Sequence, residues 1–196
     1  SDDTDINEPE KAWALLDVMN YQEVKSCWCV LYPGGYPPDF YRALSDRGFE
    51  IATHYDAMTG GRFTRWSQQN FDIQHQWLVD MAGIESPVSN KNHYTRWEGR
   101  LDFFRWCEAK GIHADQTKGP SKRGTIGFVF GGAHPWFPLD DESTSMRFMN
   151  VLEIPMLTQD IIITCPAHFG PLLAEEAIRL HGVAHFLFHP AHILKD

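Results

Sequence analysis

The stretch PDFYRALSDRGFEIATH, residues 38–54, carries the reading of the fold. Its first half is a helix that stops at Gly48, because glycine takes the left-handed conformation that ends a helix without steric cost. FEIATH follows as a short strand whose last residue is His54. The same order of helix, stop, short strand and polar residue recurs on both sides. Upstream, EPEKAWALLDVMNY sets Trp13, Leu16 and Met19 at helical spacing, with Pro9 in the first turn and Asn7 as the cap. VKSCWCVLY is then a buried strand closed by PGGYPP. Downstream, FTRWSQQNFDIQHQWLVDMAG predicts a long helix with Trp66, Ile73, Trp77 and Met81 on one face and a stop at Gly83. PVSN, IHAD, TIGFVFG, NVLEIPML and VAHFLFH read as strands, and WEGRLDFFRWCEAKG and GPLLAEEAIRLHG as helices.

Strands that alternate with helices predict β/α architecture with a largely parallel sheet or barrel, whose strands are near-continuous apolar runs buried on both faces. The 196 residues fit one domain with a sizeable core. A formal charge of −9 leaves no basic patch for a nucleic-acid backbone and is compatible with a metal cation. No run of apolar residues is long enough for a transmembrane helix, and no segment reads as a signal peptide, which leaves the compartment open. Cys27, Cys29, Cys107 and Cys165 lack the spacing of a structural zinc site and read as small core residues.

In a β/α barrel the reactive groups lie at the C-terminal ends of the strands. His54, the Asn90–His93 run, Asp115, Asp160 and His189 all fall at such ends, and SDDTD opens the sequence with three more carboxylates. A lone residue of this kind is usually a cap or a surface group; their recurrence at one end of successive strands points to a site. Carboxylates and imidazoles suit a divalent ion that leaves a position open for water. Metal-assisted hydrolysis follows, with a second carboxylate as base and a histidine as acid.

Taken in order, these motifs resemble the polysaccharide deacetylases of the NodB-homology type. SDDTD stands for the family's Asp-Asp motif, EIATHYDAM for its strand ending in histidine, KNHY for its Arg-x-Pro-Tyr motif, GIHADQTKG for its later aspartate and FLFHPAHI for its Leu-x-His motif. The resemblance implies a distorted (β/α) barrel over residues 1–196, its first strand cut short so that SDD is the strand's tip. It implies a divalent metal, zinc above all, and removal of acetyl groups from an N- or O-acetylated carbohydrate. It makes Asp2 the general base, Asp3 and His54 metal ligands, and Tyr94 an oxyanion donor through its backbone N–H. Leu187 lines the acyl pocket, and His189 is the general acid, oriented by Asp115.

This sequence departs from the family pattern in three places. Met58 replaces the family's second histidine ligand, Lys91 the arginine that orients the base, and His93 the proline of the third motif. His93 is the candidate for the missing nitrogen ligand and Asp56 a weaker one; His93 as a hydrogen-bonded loop residue stays open beside them. Trp97, Trp136 and Phe137 are candidates to stack on sugar faces, and core packing explains Trp97 equally well. Two other readings stand beside the deacetylase: a catalytically silent NodB-like carbohydrate-binding or scaffolding domain, and a metal-independent glycoside hydrolase with two acids.

Overall fold

The computed structural model describes residues 1–5, 8–59, 62–122 and 124–193; Asn7, the cap expected for the first helix, lies outside them. Strand β1 (Asp2–Asp3) leads to α1 (Pro9–Tyr21), β2 (Cys27–Leu31), α2 (Pro38–Asp46) and β3 (Glu50–Tyr55). A short antiparallel pair, β4 (Met58–Thr59) and β5 (Arg62–Phe63), precedes α3 (Gln68–Ala82), β6 (Ser89–Asn92), α4 (Asp102–Ala109) and β7 (Ala114–Asp115). The pair β8 (Leu139–Asp140) and β9 (Arg147–Phe148) is followed by β10 (Leu152–Glu153), β11 (Thr158–Gln159), α5 (Phe169–Arg179) and β12 (Phe186–Leu187).

The result is a mixed α/β fold around a six-stranded sheet in the order β1-β2-β3-β6-β7-β10, and every pairing in it is parallel. β11 pairs in parallel with β12. Phe188 accepts from Asp3 N and donates to Ser1 O, which seats the end of β12 beside β1. At the other edge the run from Leu152 to Gln159 bonds β7 through Ile154 N to Asp115 O and Met156 N to Lys118 O, then turns to β12 through Leu157 N to His185 O.

Local chemistry explains the element ends. Ser67 caps α3, its Oγ accepting from Asn70 N at 3.2 Å, and Gly83 ends that helix at φ 65°. Helices α1, α2 and α3 pack on β2 and β3 through Leu15, Leu16, Trp28, Phe40, Leu44 and Leu78. A second cluster, Tyr55, Phe71, Phe103, Phe104 and Ile112, lies under α3 and α4.

Three sequence expectations are corrected. The buried face of α3 is Phe71, Gln74, His75, Leu78 and Ala82, while Ile73 and Met81 are exposed. TIGFVFG forms turns rather than a strand: Gly127 and Gly131 take φ of 93° and 85°, and Val129 and Phe130 face solvent. Strand β6 is not apolar. Ser89, Asn90, Lys91 and Asn92 are all buried, and each finds a polar partner, among them Asp115 Oδ1 for Asn90 Nδ2 and Thr117 Oγ1 for Asn92 N.

Candidate functional site

Strand alternation decides which of the N-terminal carboxylates reach the pocket, because residues i and i+2 share a face. Asp3 and Asp5 line a cavity of about 540 Å³ together with Met58, His93, Asp160 and His189. Asp2 turns to the opposite face. It is fully buried beside Ser26 and Gln116 around a separate cavity, and burial pushes its carboxyl up to about 6. Asp2, expected beside Asp3 in the site, therefore lies outside it.

Asp5 is the centre of the cluster. His54 Nε2 lies 2.8 Å from its Oδ1, and His93 Nε2 and His189 Nε2 each lie 3.2 Å from its Oδ2. Each ring is fixed from behind through Nδ1. That atom is 2.8 Å from Lys91 O in His54, 2.9 Å from Asp56 Oδ1 in His93, and 2.6 Å from Asp160 Oδ2 in His189. A carbonyl and two carboxylates can only accept, so each Nδ1 carries a proton and each Nε2 is the free donor atom turned to the pocket.

The charges follow from this packing. Burial works against the Asp5 carboxylate, but His54, His189 and His93 hold its carboxyl well below the usual range. Burial likewise works against charge on the rings, and the acids overcome it. Asp5 and Asp56 push His93 up to about 9, and Asp160 and Asp5 push His189 up to about 10. Lys91 is buried, with Nζ 3.4 Å from Asp3 Oδ1, and Asp3 raises its pKa against the cost of burial. Lys91 thus sits beside Asp3 and orients its carboxylate.

The donor set fits a divalent ion. The ligand atoms of Asp5, His54 and His93 lie within 4.8 Å of one another, and so do those of Asp3, Asp5 and His189. A carboxylate with two imidazoles anchored from behind is the ligand chemistry of a catalytic zinc-type site. Asp56 serves as the partner of His93 Nδ1, and it also accepts from Met58 N at 2.7 Å.

Tyr94 and Leu187 line the same cavity. Tyr94 and Thr95 both hold positive φ, 58° and 51°, a conformation that β-branched Thr95 resists. Asp115 is not beside His189. It is fully buried, accepts from Asn90 Nδ2 and Thr117, and faces Glu153; Asp160 orients His189 instead, through its Nδ1 and its backbone N–H. Trp97 and Trp136 line a different cavity, of about 420 Å³, with Phe104, Arg100, Lys118 and Asp141. Lys118 Nζ sits 3.3 Å from the Trp97 ring centroid. Sequence reasoning missed Asp5 as the central carboxylate and His192 altogether, although the D-x-D alternation in SDDTD is a visible signal for the first.

No family model matches the chain, and no curated protein sequence matches it. Among solved structures the chain is similar to one titled "T48 deacetylase with substrate", at 13% identity and a TM-score of 0.40, covering 97% of this chain and 86% of that one. A likeness of that size carries no residue role from one protein to the other. Among the described residues no helix is long and apolar enough to cross a membrane.

Proposed function

We propose that residues 1–196 form one domain of the NodB type, a metal-dependent hydrolase that removes acetyl groups from an N- or O-acetylated carbohydrate. The observation that carries the reading is the convergence of three anchored imidazole Nε2 atoms on Asp5. The fold proposed with it is a distorted β/α barrel. Its support is the chain of hydrogen bonds that joins β7 to the Leu152–Gln159 run, that run to β12, and β12 to β1.

In this reading Asp5, His54 and His93 hold the cation, with zinc the best match to one oxygen and two nitrogens. When bound, the cation supplies an acidified water and a polarised acyl carbonyl. Asp3 accepts the water's proton, and Lys91 keeps that carboxylate placed. Tyr94 N–H, on the left-handed turn at the rim, donates to the developing oxyanion. Met58, Ile163 and Leu187 give the pocket an apolar wall of the kind that accepts an acyl methyl. His189, held by Asp160, delivers a proton to the leaving nitrogen or oxygen. A glycosidase of the two-acid type has no use for three imidazoles around one carboxylate.

The test is metal content and acetate release on the same samples. Zinc measured by elemental analysis should be near one equivalent at the Asp5 site, and acetylated chito-oligosaccharide should release acetate. Asp5→Ala should lose the equivalent held at this site and acetate release with it. Acetate release that survives in a zinc-free Asp5→Ala sample would overturn the assignment. A wild-type protein that binds zinc and releases no acetate from acetylated sugars would favour the silent-domain reading.

A further inference from the structure

We infer that Asp160, His189 and His192 form a second divalent-cation site, separate from Asp5, His54 and His93, and that excess zinc bound there inhibits the hydrolase. The sequence signal is His-Pro-Ala-His at 189–192. Residues Pro190–His192 form a 3-10 turn in which His192 N donates to His189 O at 2.9 Å. Side chains three apart eclipse one another in such a turn, so the two imidazoles project toward one side. Their partner is Asp160, whose Oδ2 lies 2.6 Å from His189 Nδ1 and 3.1 Å from His192 Nδ1. All three ligand atoms fall within 4.8 Å of one another, and all three residues line the cavity.

Two details favour a cation over a closed hydrogen-bond network. His192 Nδ1 is buried, and among the described residues its one polar neighbour is Asp160 Oδ2 at 3.1 Å, too poorly aligned for a well-formed hydrogen bond, so ligation costs it little. Asp160 is held by its other oxygen, Oδ1, which accepts His189 N at 2.8 Å and leaves Oδ2 for the ion. Two imidazole nitrogens and a carboxylate oxygen match zinc, with bonds of about 2.0–2.2 Å. A separation of 2.6 Å is a hydrogen bond, so the ion must displace the proton on His189 Nδ1 and push the two atoms apart. One cation enters and one proton leaves. The proton on His189 Nε2 then sits on a neutral, zinc-bound ring, a weaker acid toward the leaving group than the imidazolium it replaces. This consequence rests on the hydrolase reading; the site itself does not.

The experiment uses the full chain stripped of metal and titrated with zinc against a chromophoric chelator. Acetate release is followed in parallel at one equivalent and at a large excess of zinc. Wild type should take up two zinc ions in two steps, and excess zinc should cut acetate release at least tenfold. His192→Ala and His192→Gln, checked for folding by circular dichroism, should take up one ion and keep their activity in excess zinc. Asp5→Ala should lose the tighter step and keep the weaker one. Saturation of wild type at one ion would overturn the proposal, as would two ions in both His192 variants. Two ions in wild type and one in the variants, without acetate release from any sample, would support the site and count against the hydrolase reading.

Discussion

Asp3 and Asp5, and Asp115 and Glu153, are two pairs of carboxylates withdrawn from water with opposite outcomes. The first pair meets Lys91 and three imidazoles, and Asp5 is held ionised well below the usual range. The second pair meets chiefly itself. Burial and the neighbouring Asp115 raise Glu153 far above its ordinary value, burial raises Asp115, and Glu153 Oε2 has no partner among the described residues. Lys118 is near, but burial lowers its own pKa to about 8 and its ammonium lies over Trp97. The difference is one of surroundings rather than residue type. Cations gathered around a carboxylate make a place where a metal can replace protons. Two acids closed in together keep a proton and serve as structure.

The largest test of this contrast is the proton acceptor. Asp3→Asn should leave zinc bound by Asp5, His54 and His93 and lower turnover by about 10² to 10⁴, the usual cost of losing a general base. Acetate release and metal content on one sample decide it. Asp2→Asn is the control, because Asp2 faces the other cavity and should leave turnover within a few-fold of wild type. If Asp2→Asn falls as far as Asp3→Asn, the alternation argument is wrong.

A smaller effect is expected behind the metal. Asp56 fixes the tautomer and direction of His93, and removal of such a partner costs about 10- to 100-fold in metal affinity or activity. Asp56→Ala should therefore weaken zinc binding by that amount with circular dichroism unchanged. An unchanged affinity would mean that His93 is not a ligand.

Smaller again is the pH response of the metal-free protein. His93 at about 9 and His189 at about 10 lie above the ordinary histidine value of 6.5. The stability they contribute is fully present below about pH 6.5, and it is lost as pH rises through 9 to 10. The same protons compete with zinc, so zinc affinity should climb over that interval. Urea melts of metal-free protein at several pH values check the first statement and chelator titrations the second. Stability that rises between pH 7 and 10 would contradict it.

The sequence made the β/α order legible because its punctuation is local. Gly48 and Gly83 act through their own left-handed backbones, and α2 and α3 end where they were expected, whereas α3 begins only at Gln68, after the Ser67 side-chain cap, and not at Phe63. What was not legible depends on facing. The polar Gln74 and His75 are buried on α3 because Gln74 reaches the backbone of Asp56, donating to its carbonyl and accepting from its N–H; a search for apolar residues passes over both. At the site, His54, His93 and His189 were visible as strand-end residues. The resemblance drew attention to the adjacent pair Asp2 and Asp3, whereas the pleat brings together Asp3 and Asp5. Asp160 and Asp115 both end strands, and only the tertiary fold shows which one stands behind His189.

The smallest expected effect concerns the second carboxylate pair. Glu153 is fully buried, and its raised pKa means that the folded protein keeps a proton that the unfolded chain releases above about pH 4.5. The folded state therefore binds more protons than the unfolded state, and stability falls as pH rises from that point. Glu153→Gln fixes the neutral form. Its amide oxygen can still accept from Lys118 N, the bond Glu153 Oε1 makes at 3.0 Å, and its amide nitrogen can donate to Asp115. One further N–H is left buried, at a cost of about 1–3 kcal/mol. Near pH 5 the variant should be no more stable than wild type. By pH 8 wild type should have lost the difference, so the two melting curves approach or cross. Turnover should be unaffected, since this pair does not line the cavity around Asp5. Parallel urea melts of the two proteins at both pH values measure this directly. If the gap between them does not change with pH, Glu153 is ionised in the folded state, and the contrast between the two pairs of acids fails.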